Sequence, residues 1–164
     1  METNFRPLIA AGTLLGIGMG GFVDGIVFHQ ILQIHNMLSA KYPPNTLVNA
    51  EINMVWDGLF HALTWTMTAL GLWMLWQVGK RAEVPWSGKT FMGSWIMGWG
   101  LFNVVEGIID HHILNIHHVV ERLGVSVADY AFLASGVIFI LIGAALIRKG
   151  KEDTVITHPS PGTR

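Results

Sequence analysis

The chain has 164 residues, 51% of them apolar and only 13% charged, with a formal net charge of −1, 19 Gly, 7 Trp and no Cys. Soluble domains carry roughly 25% charged residues, so this balance excludes a disordered chain, a basic nucleic-acid binder and a disulfide scaffold. Without Cys there is no thiolate nucleophile, no iron–sulfur cluster and no Cys-type zinc site. Any metal must be held by His, Asp, Glu, Met or backbone.

Four apolar runs, residues 8–28, 59–78, 91–109 and 130–147, each approach the roughly 20 residues that a membrane-spanning helix needs. The expected fold is an all-α membrane protein, a bundle of four transmembrane helices in residues 1–149, followed by a flexible cytoplasmic tail over 150–164. Asp24 interrupts the first run, which favours a retained first helix over a cleaved leader. Pro43 and Pro44 break the connection between the first two helices. Arg6, Lys80, Arg81, Lys89, Arg148, Lys149, Lys151 and Arg164 fall at one end, and only Lys41 and Arg122 at the other. The positive-inside rule then puts both termini in the cytoplasm. The chain reads as a multi-pass protein of a bacterial cytoplasmic membrane, with the lipid bilayer as its first partner.

An internal repeat is legible at a shift of 82 residues. Residues 24–37 lie over 106–119 with seven of fourteen positions identical, among them Gly25/Gly107, His29/His111 and His35/His117. The later helices match more weakly, with Asp57 over Asp129 at a shift of 72. The pattern predicts two tandem hairpins, about 7–80 and 89–149, related by a pseudo-two-fold axis along the membrane normal.

Seven of the eight His, namely His29, His35, His61, His111, His112, His117 and His118, belong to the extracytoplasmic half in this topology, as do Asp24, Asp57, Glu106, Asp110 and Asp129. Ionisable groups cost about 2.5 kcal/mol or more at a bilayer centre, so such a gathering points to a functional site. At about 100° per residue, Glu106, Asp110, His111, His117 and His118 share one arc of an unbroken helix, and Asp24, His29 and His35 share the matching arc. His112 falls on the back. Asn53, Asp57 and His61 form one stripe at i, i+4, i+8. Axial rise separates His29 from His35 by roughly 9 Å in an unbroken helix. That predicts a deeper layer of His29, His61 and His111, and an outer layer of His35, His117 and His118.

The candidate metal ligands are therefore Asp24, His29, His35, Asp57, His61, Glu106, Asp110, His111, His117 and His118. Imidazole with carboxylate suits a transition metal such as copper, iron or zinc. Neither the His-Glu-x-x-His of zinc proteases nor the Glu-x-x-His of ferritin-like bundles occurs. Met37 and Met54, near the outer mouth, are candidate soft ligands for copper. The glycines of the first helix, Gly12 to Gly25, predict close helix packing.

The stretch 18–37, the Asp57-Gly-Leu-Phe-His61 element and the stretch 106–118 resemble a bacterial family of small four-helix integral membrane proteins catalogued as a domain of unknown function. The resemblance covers most of residues 8–148. In that family a second His often follows the equivalent of His35, where this chain has Asn36. The resemblance implies a context similar to copper delivery to respiratory oxidases and carries no activity with it.

Three functions remain open at this level. The first is a membrane metalloprotein with a polynuclear His/carboxylate site, performing redox or other metal-dependent chemistry. The second is a non-enzymatic copper-handling or assembly protein for a respiratory oxidase, acting in a homo-oligomer or with a respiratory complex. The third is a haem protein with two axial His, such as His29 and His111.

Overall fold

The computed structural model describes residues 4–157, which are helical with no strand among them. Four long helices are α1 (Arg6–Val23), α2 (Leu47–Gly79), α3 (Gly88–Glu106) and α4 (Val127–Thr157). Each begins where the sequence can start a helix. Pro7 opens α1, where its missing N–H costs nothing. The Thr46 hydroxyl accepts from Asn49 N at 3.2 Å ahead of α2, and the Ser87 hydroxyl from Thr90 N at 3.2 Å ahead of α3. The hydroxyl of Ser126 accepts from Ala128 N at 3.3 Å at the start of α4. α4 runs on to Thr157, so residues 150–157, expected in the tail, are helical. Residues 158–164, with His158, lie outside the described residues.

α1 packs on α2 and on α3, and α3 packs on α4, so α1 and α3 form the central pair. Their approach is set by glycine. A Cβ on Gly16 would collide with the carbonyl oxygen of Trp95, and one on Gly98 with that of Thr13. Gly100 against Gly136 and Gly93 against Gly143 bring α3 equally close to α4. This is the small-residue packing of helices that have no hydrophobic driving force between them.

The interior is polar and the exterior apolar. Among the described residues, fifteen buried side chains are polar or charged and eight are apolar. Outward-facing surfaces carry Trp65, Leu72, Trp73 and Trp76 on α2 and Val137, Ile138, Leu141 and Ile142 on α4, all exposed. Such a distribution suits an apolar surrounding. Two segments, Arg6–Ile31 and Val127–Glu152, are long and apolar enough to cross a membrane.

The helices that run toward the polar end do not stay α-helical. After α1 the backbone widens into a π-helical segment, Asp24–Ile31, and after α3 into another, Gly107–Ile113. Leu32 N donates to Val27 O at 2.8 Å, and Leu114 N to Ile109 O at 2.7 Å, both five residues back. Each segment then reverses through one residue of positive φ, Gln33 at 49° and Asn115 at 48°. Non-glycine residues rarely adopt that region. Here it folds the chain back under the helix end. The two returning loops cross: Ala40 N donates to Ile116 O at 3.0 Å, and Glu121 N to Ile34 O at 3.2 Å.

Candidate metal centre

The reversals decide the site. By folding back at Gln33, the chain brings the His35 ring to 4.6 Å from that of His29, measured between centroids. The reversal at Asn115 brings His117 to 4.8 Å from His111. His35 and His117, from different loops, stack at 4.8 Å and 6°. His29, His35, His111 and His117 thus form one cluster, and the expected separation into a deeper and an outer layer is corrected. The rise per residue of an unbroken helix does not apply across a π segment that ends in a reversal.

Three rings of the cluster are hydrogen-bonded through Nδ1, and the fourth, His111, has its Nδ1 beside a carboxylate without a hydrogen bond. His35 Nδ1 donates to Val119 O at 3.0 Å, and His117 Nδ1 donates to Met37 O at 3.0 Å. A carbonyl only accepts, so these contacts place a proton on Nδ1, and in the neutral ring the lone pair is then on Nε2. His29 Nδ1 donates to Asp57 Oδ1 at 2.8 Å. His111 Nδ1 stands 3.2 Å from Asp129 Oδ1. The Nε2 atoms of all four rings are buried without a hydrogen-bond partner, as are Asp24 Oδ2 and Glu106 Oε2. Asp24 Oδ2 lies 3.0 Å from His29 Nε2, Asp24 Oδ1 lies 3.6 Å from His35 Nε2, and Glu106 Oε1 lies 3.4 Å from His117 Nε2.

Six side chains therefore converge with free donor atoms. Three sets have ligand atoms within 4.8 Å of one another: His29, His35 and His117; Glu106, His111 and His117; Asp24, His29 and Glu106. These groups could hold a metal ion, and three of the four rings give Nδ1–H to a carboxylate or a carbonyl, as metal-bound imidazoles typically do.

Asp57 and Asp129 hold the loops as well as the rings. Asp57 accepts from Met37 N at 2.8 Å and from Asn36 Nδ2 at 3.0 Å. Asp129 accepts from Val119 N at 3.0 Å and from Ser126 N at 2.8 Å. The contacts run in pairs. Every site residue from 24 to 37 has its counterpart 82 positions later, and Asp57 and Phe60 have theirs 72 positions later in Asp129 and Phe132. Phe60 lies 5.6 Å from the His29 ring, and Phe132 lies 5.4 Å from the His111 ring.

Not every expected residue joins. His61 gives Nδ1 to Asp57 O in its own helix at 2.7 Å and packs between Phe22 and Phe60. Its counterpart 72 residues on is Leu133. Asp110 sits half-buried on the second π segment, outside the three ligand sets. His118 stands behind His111, its Nδ1 3.7 Å from Asp129 Oδ1. His112 faces away, as its helical angle predicts, with its ring against Tyr130 at 5.4 Å. Asp129, 3.2 Å from His111 Nδ1, is absent from the expected ligand set. The shift of 72 that pairs it with Asp57 is the sequence signal for it. The carbonyls of Met37 and Val119 leave no mark in a sequence.

The family described as "Predicted membrane protein (DUF2243)" matches residues 11–150. No curated protein and no solved structure matches the chain.

Proposed function

Since the chain belongs to this family of predicted membrane proteins, we propose that it is an integral membrane metalloprotein with a dinuclear His/carboxylate centre. The observation that carries the reading is the set of four buried imidazole Nε2 atoms and two carboxylate oxygens that converge without hydrogen-bond partners. Buried polar groups are nearly always satisfied, and a cluster of orphans calls for an ion. His29, His35 and Asp24 supply one half, and His111, His117 and Glu106 the other. Asp57, Asp129 and two backbone carbonyls orient the rings. A first-row metal there, copper, iron or zinc, supplies electron transfer or Lewis-acid activation.

Two observations rank the alternatives below this. Met54 is 69% exposed, and the donors that converge are nitrogen and oxygen, which speaks against a soft copper(I) handler. His35 and His117 both lie beside His29 and His111, at 4.6 to 6.4 Å between ring centroids, which speaks against a haem macrocycle held between His29 and His111.

The test is elemental analysis of protein purified in mild detergent, with an absorption spectrum. The expected result is about two transition-metal ions per chain. Metal-free protein that gains none on titration with iron(II), copper(II) or zinc would overturn the reading.

The paired contacts support an origin of the two halves as tandem hairpins, and four spans with the centre on the extracytoplasmic side. The end that carries the cluster holds Lys41 and Arg122, whereas the other eight basic residues belong to the opposite end or the termini. A reporter fused after Arg164 should therefore respond as cytoplasmic, and one inserted at Asn45 as external. A cytoplasmic signal at Asn45 would invert the orientation.

A further inference from the structure

A cleft of about 200 Å³ opens between α1, α3 and α4, and Asp24 forms part of its lining. Its walls are aromatic: Phe28, Trp99, Phe132 and Phe139. Two polar side chains, Asn103 and Ser135, complete it. Ser135 Oγ donates to Phe132 O at 2.6 Å and accepts from Asn103 Nδ2 at 3.0 Å. With the hydroxyl proton committed, the Asn103 amide is fixed, and its Oδ1 is left as a buried acceptor without a donor. Asp24, whose Oδ2 lies 3.0 Å from His29 Nε2, borders the cleft on the side of the His/carboxylate cluster. Asn103 is 5% exposed and Asp24 is 3% exposed.

Small side chains help to open the cleft. It is lined by Gly20 and Ser135. The counterpart of Gly20, 82 positions on, is Phe102, and the counterpart of Ser135, 72 positions back, is Leu63. The small residues open this side, and the large ones stand at the equivalent places.

An aromatic slot with a buried acceptor that receives no hydrogen bond, Asn103 Oδ1, favours an aromatic body that carries an O–H group. We propose that the cleft binds a small hydroxyaromatic molecule of the phenol or quinol class, drawn from the apolar phase. Its ring lies between the aromatic walls, and its hydroxyl donates to Asn103 Oδ1, at the side of the centre where Asp24 stands. This names the substrate class for the metal centre proposed above. Any reaction of the bound molecule rests on that reading, whereas its binding does not.

The test is equilibrium dialysis of 2-naphthol and of naphthalene against the full-length protein in detergent micelles, with protein-free micelles as the partition blank. The protein should take up 2-naphthol saturably at one site, about five- to tenfold more tightly than naphthalene, the worth of one hydrogen bond. Asn103→Leu should abolish that preference. Ser135→Leu should block both compounds by filling the cleft. Uptake no greater than the blank, or equal affinity for both compounds in the wild type, overturns the proposal. The wild-type comparison decides the matter even where a variant does not fold. Metal content is read on the same preparation. Naphthol bound without metal sinks only the metalloprotein reading, and metal without naphthol sinks only the cleft.

Discussion

His117→Ala should leave the purified protein with less than about a tenth of its metal, because partners that merely orient a ligand already cost 10–100-fold in affinity when removed. His117 belongs to two of the three ligand sets, so its loss touches both halves of the centre. His35→Ala should behave likewise. His61→Ala should keep full occupancy, since that ring bonds its own helix, and so should His112→Ala, whose ring faces Tyr130. Metal per chain in folded variants is the measurement. Should His35→Ala and His117→Ala both retain wild-type metal, the imidazoles are hydrogen-bonding groups that fasten helices together, and the metalloprotein reading falls.

Asp57→Ala is expected to produce the largest loss of stability. It strands the Met37 N–H, the Asn36 amide and the His29 Nδ1–H, all of which Asp57 accepts. A buried donor left without its acceptor costs about 1–3 kcal/mol, and breaking a buried charged network about 3–5 kcal/mol. Asp57→Asn keeps the shape and an acceptor oxygen but loses the charge that holds His29. Its signature should be a 10–100-fold loss of metal affinity with a much smaller change in thermal melting. Asp129→Asn should repeat the pattern at His111. If Asp57→Asn melts and binds metal as the wild type does, the carboxylate has no part in orienting His29.

The sequence made the helices legible because the apolar runs are long and Pro7, Thr46 and Ser87 mark their starts. It made most of the site legible as well, since seven His and five carboxylates collect toward one end. The geometry within that end was not legible. Angular reasoning presumes one period, and the π segments at Asp24–Ile31 and Gly107–Ile113 change it. Nothing in Gln33 announces a positive φ, although Asn115 tolerates one more readily. His61 shares a stripe with Asp57, and spacing alone therefore sets it beside the metal. Its ring turns back onto the carbonyl of Asp57, a choice of rotamer that spacing cannot reveal.

The crossing of His35 onto Val119 and of His117 onto Met37 has a thermodynamic consequence. Each hairpin carries a ring whose orientation depends on a carbonyl belonging to the other. The contacts span 84 and 80 residues of chain, so both close only after the halves have docked. Two of the three candidate ligand sets draw on both halves. On the metalloprotein reading, an ion held by Nε2 atoms from both halves would be a clasp, and its binding free energy would add to the free energy of docking. Loading and assembly would then be one equilibrium, and removing the ion should loosen the seam between the two halves.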